Sequence, residues 1–214
     1  MKKIDENYFK VDDSMKKNTI EDILENGENV LWRERPNKKA HIWSKFFTAL
    51  PMALVWLVFD VTFIVLFLTN ADKETIMELG LFFIVFFSMH LIPVWVWIGG
   101  TIRAFVEYKN IEYAFTEKRI IIRSGIIGID FKNVYYTDIQ SVNLKVGLTD
   151  KLFKVGDIYI KSDNESIVLF DIKNPYHIAS KLQKITLDIK TDIYYPNALR
   201  PEENPGYKTK YKGE

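Results

Sequence analysis

Residues 119–130 read RIIIRSGIIGID, with six isoleucines, two glycines and three charges in twelve positions. As a helix, twelve residues rise only ~18 Å, well short of a hydrocarbon core about 30 Å thick. Arg119, Arg123 and Asp130 oppose a membrane span further. A loop that holds phosphate is a poor reading too, because isoleucines fill the space between Gly125 and Gly128. What remains is two β-strands that meet at Ser124-Gly125. On the first strand Arg119, Ile121 and Arg123 share one face, because successive side chains alternate across a strand.

The flanking residues extend this pattern. Ile111, Tyr113 and Phe115 alternate with Glu112, Ala114 and Thr116 on the N-terminal side. Val142, Leu144 and Val146 alternate with polar neighbours, and so do Ile158 and Ile160. Period two places one set on a buried face and the other toward water. Residues 167–172, IVLFDI, are apolar on both faces and read as a central or covered strand. The segment then changes period. Asn174 and Pro175 open a helix, and Ile178, Leu182, Ile185 and Ile189 fall on one stripe of it. The expectation is six or seven antiparallel strands closed by one amphipathic helix.

Upstream the chain changes character. Residues 46–68 and 79–102 are two apolar runs of at least 23 residues, each with one ionisable residue, Asp60 and His90. Twenty-three helical residues span ~34 Å, enough to cross a bilayer with some tilt. The first run starts 45 residues in, with no short apolar segment and cleavage site before it, so it reads as a retained anchor. Arg33, Arg35, Lys38, Lys39 and Lys45 precede the first run, and Arg103, Lys109, Lys118, Arg119 and Arg123 follow the second. The loop between carries one cation, Lys73, against three anions. Cations mark the cytoplasmic side, so both termini are expected in the cytoplasm of a multi-pass cell-membrane protein. Asp60 and His90 lie ~12 and ~16 Å from the outer ends of their helices, close enough in depth to pair. Such a pair reads as a polar clasp between helices or as a proton or ion site in an oligomer.

The organisation is therefore 1–45, an N-terminal segment; 46–68 and 79–102, the spans; 69–78, an external loop; 103–190, a cytoplasmic β domain; and 191–214, a tail with three prolines and four tyrosines that either solvates or docks by strand addition. Within the first segment NTIEDILENG reads as a short capped helix ended by Gly27.

The ordered steps YAFTEKRIIIRSGIIG, VYYTDIQSVNLKVGLTDKLFKVGDIYIKS and LFDIKNPYHIASKL, together with the two spans, resemble the bacterial pleckstrin-homology-like (PH-like) domain of small two-span membrane proteins. Tyr113, Thr116, Arg119, Ser124, Gly125, Ile139, Val142, Val155, Gly156 and Ile158 carry that resemblance over about residues 25–190. It implies a membrane hairpin plus a seven-stranded, roll-like β barrel capped by a C-terminal helix. It implies neither a catalytic activity nor a cofactor. Eukaryotic relatives often hold phosphoinositides with basic residues in their first loop. Taken as that loop, SGIIG is uncharged, which argues against this ligand.

Composition limits the remaining chemistry. The chain has no cysteine, which excludes disulfides and thiol catalysis. Its net charge of +1 gives no sign of a nucleic-acid partner. His41, His90 and His177 lie in separate regions without ligand spacing, so no metal is expected. Residues 103–190 hold 14 cations and 11 anions. Arg119, Ile121 and Arg123, with Lys132 nearby, form the candidate face for anionic lipid headgroups or a protein partner. The sequence reads best as a membrane-anchored, non-enzymatic binding or scaffold protein, with the bilayer and a membrane or cytoplasmic protein as partners and a homo-oligomer left open. The alternative is an oligomeric transport or proton-coupled component built on Asp60 and His90.

Overall fold

The computed structural model describes residues 18–163 and 165–194. The chain enters as a 3₁₀ turn, Ile20–Ile23, and a strand, β1 (Val30–Glu34). Three helices follow: α1 (Lys38–Asn70), α2 (Lys73–His90) and α3 (Ile92–Tyr108). Strands β2 (Glu112–Thr116), β3 (Arg119–Ser124), β4 (Asp130–Tyr135) and β5 (Ile139–Lys145) come next. A short helix α4 (Leu148–Phe153), strands β6 (Val155–Ser162) and β7 (Ser166–Lys173), and helix α5 (Pro175–Tyr194) complete the order.

The strands form two antiparallel sheets, β1-β2-β3-β4 and β5-β6-β7. Their inner faces share one core, which includes Tyr113, Ile120, Ile122, Ile158, Ile160, Leu169 and Leu182. The expected stripe of α5 packs into it: Leu182 is buried, and Ile178, Ile185 and Ile189 are partly buried. Gln183 and Lys190 donate to the carbonyls of Val142 and Ile139, which fixes α5 along β5. Tyr113 hydroxyl accepts from Phe170 N–H at 3.0 Å and ties β2 to β7 across the other end. Burial pushes this phenol far up, so it stays neutral.

Three boundaries differ from the sequence expectation. First, Val30–Glu34, which lies inside the expected N-terminal segment, belongs to the β domain. β1 pairs with β2 in the register Trp32↔Phe115 and Glu34↔Tyr113, so the β domain starts before the helices and the helices are an insertion between its first two strands. Periodicity missed β1 because VLWRE is short and two of its five residues are charged. Secondly, α1 begins at Lys38, eight residues before the apolar run, because Asn37 Oδ1 accepts from Lys39 and Ala40 N–H and caps it. The link to α2 shrinks from ten residues to Ala71-Asp72, and Asp72 caps α2 by accepting from Thr75 N–H at 2.7 Å. Thirdly, the second run is two helices bent by 48° at Leu91. Pro93 supplies the cause, since it has no N–H for the Met89 carbonyl and its ring crowds that turn. Pro51 lies within α1, which continues through it.

Only α1 is by itself long and apolar enough to cross a membrane among the described residues, and α2 with α3 pass that test as one bent span. These helices expose apolar side chains along their length, Val55 at 66%, Val58 at 62% and Leu81 at 74%.

The opening motif is two strands, β3 and β4, joined by residues 125–129. Gly125 has φ +134°, and a Cβ there would land on the Gly128 carbonyl. Only glycine makes this turn. It is not the domain's first loop, however. That place, between β1 and β2, belongs to the helices, so the comparison of SGIIG with a first phosphate loop does not hold. The expected docking of the tail concerns 195–214, which lie outside the described residues.

Candidate functional site

The face expected to meet lipid or a partner is occupied. Ile121 is fully buried, together with Ile20 and Ala114, beneath a strap formed by residues 18–30. Arg119 is also buried. Its Nε and Nη2 donate to Glu28 at 3.1 and 2.9 Å, and Nη2 also reaches the Ile23 carbonyl at 2.7 Å. Thr116 hydroxyl donates to the same carboxylate at 2.7 Å. Burial alone pushes Glu28 up, but the hydrogen bonds from Arg119, the Glu25 backbone and Thr116 outweigh it and hold the carboxyl below its ordinary value. Arg123 Nε donates to the Asn18 carbonyl at 2.8 Å. Each buried isoleucine contributes ~1.5–3 kcal/mol, so the strap belongs to the fold. Sequence alternation placed Arg119, Ile121 and Arg123 together on one face, as found, but it could not show what covers that face.

Lys132 is not on it. Lys132 pairs with Ile122 in the β3–β4 register, and directly paired residues point to the same side. Ile122 faces the core, so Lys132 lies on the inner side at the barrel's end, where its Nζ meets Glu165 at 2.8 Å.

Asp60 and His90 come together. His90 Nδ1 lies 2.7 Å from Asp60 Oδ1, and the second Asp60 oxygen is buried with no hydrogen-bond partner. Trp56, Phe59 and Phe86 surround the imidazole at ring distances of 5.3–5.9 Å.

Two features were not anticipated. The first is the root of α1. Asn37, His41 and Lys45 recur every fourth residue, on one helix face, and all three meet β7. Asn37 N–H donates to the Asp171 carbonyl at 3.0 Å, His41 Nδ1 lies 3.1 Å from Asp171 Oδ2, and Lys45 Nζ sits 5.8 Å from the Phe170 ring centroid. Asp171 holds φ +55° at a bulge, and its N–H donates to Asp157 Oδ1. Burial raises the Asp157 carboxyl. The i, i+4, i+8 spacing was the available signal. It was hidden because those residues precede the apolar run. Beside this root lies a cleft of about 260 Å³ that includes Lys45 and Lys132.

The second feature is a cleft of about 630 Å³ between β1 and α5, lined by Leu31, Trp32, Phe115, Ile178 and Ile185, with Lys181, Lys184 and Asp188 on its helix side. Trp32 packs against Phe115 with ring centroids 4.4 Å apart and planes tilted by 35°, and forms its wall. Among the described residues no group of three His, Cys, Asp or Glu side chains could hold a metal ion.

Comparison with known proteins adds the family. No curated protein matches the chain. Among solved structures, a DUF1696-family protein with a pleckstrin-homology domain from Shewanella loihica is 16% identical, and the match covers 34% of this chain and 68% of that one with a TM-score of 0.29. A family described as "Bacterial PH domain" matches residues 52–186, from within α1 to within α5. This match takes in most of the helical insertion and the six strands after it, well over half of the sequence, and on that ground the chain belongs to the bacterial PH domain family.

Proposed function

We propose that the protein is a membrane-anchored, non-catalytic binding protein whose PH-like head is held against the cytoplasmic leaflet and offers its β1–α5 cleft to a protein partner. The observation that carries this reading is the position of the helices. They are inserted between β1 and β2, and exposed apolar side chains surround their roots. Ile127, 101% exposed, sits on the β3–β4 turn, whose Gly125 carbonyl accepts from Asn110 at the end of α3. Leu148 and Leu152, 88% and 73% exposed, lie one turn apart on α4, which packs against α1. An apolar rim around two apolar helices fits a bilayer surface better than water. With α1 and the α2–α3 pair as spans, both termini lie in the cytoplasm.

Among the described residues, this seating leaves the β1–α5 cleft open. Its apolar floor and mixed-charge wall suit an extended segment laid beside the edge strand β1. A photo-crosslinking residue at position 31, in the full chain in cells, is expected to yield a discrete protein adduct that the same residue at Asn133, exposed on β4, does not. Lipid adducts alone, or identical adducts at both positions, would reject the protein partner.

A second reading, proton-coupled transport by oligomerised hairpins, draws on the Asp60–His90 pair. The aromatic rings packed around His90 favour a clasp. Asp60→Asn is then expected to weaken the hairpin while leaving vesicle proton flux at the wild-type level. A flux lost in the variant would restore the transport reading.

A further inference from the structure

Within the two apolar runs the hydroxyl residues are Thr48, Thr62, Ser88 and Thr101. Thr48, Ser88 and Thr101 each donate to the carbonyl four residues back on their own helix, at 2.6, 2.6 and 2.9 Å. That bond satisfies a hydroxyl where no water reaches. Thr62 differs. It is exposed, and its hydroxyl makes no hydrogen bond among the described residues.

The Asp60–His90 pair is short of partners as well. Asp60 is 1% exposed, and its Oδ2 has none. The His90 side chain is 29% exposed. Its Nδ1 meets Asp60, and its Nε2, on the ring edge away from Asp60, makes no hydrogen bond among the described residues. Asp60 lies ~12 Å and Thr62 ~9 Å from the outer end of the first run, so on the anchored reading the unpaired hydroxyl and the unpaired imidazole edge sit at nearly one depth inside the hydrocarbon. Hydrocarbon offers neither donor nor acceptor, so a polar atom that faces it is costly.

Both groups border one surface. Val55, Phe59, Thr62 and Leu66 follow at spacings of four, three and four, which places them on one stripe of α1, and all four are exposed. Phe59 packs against the His90 ring at 5.8 Å, so the imidazole borders this stripe. Within one copy Thr62 does not reach it, because Asp60 faces His90 and two residues turn the helix by ~200°. A second copy related by a two-fold axis along the membrane normal keeps every depth and lays the stripe against itself, so that Thr62 of each copy falls beside Phe59 and His90 of the other. Whichever ring nitrogen holds the proton, a hydroxyl can donate to Nε2 or accept from it.

We infer that α1 pairs with α1 of a second copy along Val55, Phe59, Thr62 and Leu66, and that the Thr62 hydroxyl of each copy hydrogen-bonds His90 Nε2 of the other. The inference rests on the membrane-anchored reading. It extends the Asp60–His90 clasp from one hairpin to two and sets two heads side by side on one leaflet. A partner that presents two segments to two β1–α5 clefts is then held by avidity without any new contact.

The test uses the full chain in phosphatidylcholine vesicles at a series of protein-to-lipid ratios, with disulfide-linked dimer as the readout. The chain has no cysteine, so Leu66→Cys supplies a single thiol on the stripe. Ile84→Cys is the control. Phe83 meets Phe67 at 4.5 Å, so Ile84 lies at the depth of Leu66, but it lines a groove on the other flank of the hairpin with Ile64 and Leu68. Oxidation is expected to link Leu66→Cys into dimers and Ile84→Cys hardly at all. Added to Leu66→Cys, Thr62→Val is expected to raise the protein-to-lipid ratio for half-maximal dimer by about tenfold, the effect of two hydrogen bonds of the modest strength found within membranes. Thr62→Ser keeps the hydroxyl and is expected to restore pairing, which a loss of folding in the valine variant would not explain. Equal dimer from the two cysteine variants means random collision and overturns the interface, as does a monomer at every ratio. Pairing unchanged by Thr62→Val overturns the hydrogen bond that defines it. Recovery of the chain in the aqueous fraction without detergent would instead refute the anchored reading, which is a different failure from a membrane-inserted monomer.

Discussion

Arg119 shows how far one residue's role depends on its surroundings. On an exposed strand it would be a weak surface cation. Under the strap it is a buried guanidinium that shares Glu28 with Thr116. Removing one partner of a buried pair leaves the other charged and unpaired, which typically costs about 3–5 kcal/mol. Arg119→Ala is therefore expected to lower the denaturant midpoint of the detergent-solubilised chain sharply, while Arg123→Ala, at the exposed edge of the strap, shifts it little. A small effect at 119 would mean that the strap is loosely held. The same carboxylate sets an acid limit. Glu28 is held below its unfolded value of 4.5, so its contribution is complete above that pH and is lost as the pH falls through the folded value. Glu21, lowered to about 2 by its hydrogen bond to Arg33, acts in the same direction but is exposed and adds little. Unfolding midpoints measured from pH 7 to 3 should fall below about 4.5, and Glu28→Gln should flatten that fall.

At the scale of elements, the informative parts are the short ones that periodicity treats as punctuation. The β3–β4 turn and α4 hold Ile127, Leu148 and Leu152 outward, close to the helix roots. Because the chain has no cysteine, single cysteines at 127 and 152 can each carry a nitroxide cleanly. In reconstituted vesicles both labels are expected to collide more with oxygen, which partitions into lipid, than with a water-soluble nickel chelate. A label at Asn133 is expected to show the reverse. Water-like collision ratios at all three positions would lift the head off the leaflet. The helix break at Leu91 belongs to this scale too. Pro93 produces it directly after His90, so the Asp60–His90 contact sits at the hinge of the bent pair.

For the whole molecule, the central consequence is that the head is discontinuous. Residues 103–190 alone lack β1 and the strap, and so leave Phe115, Ile121 and Arg119 without Trp32, Ile20 and Glu28. That fragment is expected to aggregate. Residues 18–35 joined to 109–194 by a short flexible linker should fold, since Glu34 and Tyr113 are register partners and the hairpin between them can be replaced. Dispersed amide signals from the joined chain but not from the fragment would show this, and a well-folded fragment would contradict it.

Taken alone, the sequence determined whatever depends on local periodicity and composition. Alternation at 111–116, 141–146 and 157–161 marked strands because each has one face in the core. The stripe on α5 and the two apolar runs were legible for the same reason. Asp60 and His90 could be matched in depth because helical rise is constant. Tertiary structure decided everything that depends on which surfaces meet. β1 has too few residues to show a period, and it is a strand because β2 offers it an edge. The Arg119 face is covered because a segment roughly 90 residues away in sequence supplies Ile20 and Glu28. The polar root of α1 acquires meaning only against β7, where Asp171, in a left-handed bulge, turns its carboxylate onto His41. Periodicity reports that a residue has an inside and an outside, but packing alone chooses the neighbour, because the free energy of burial belongs to the pair of surfaces and not to either one.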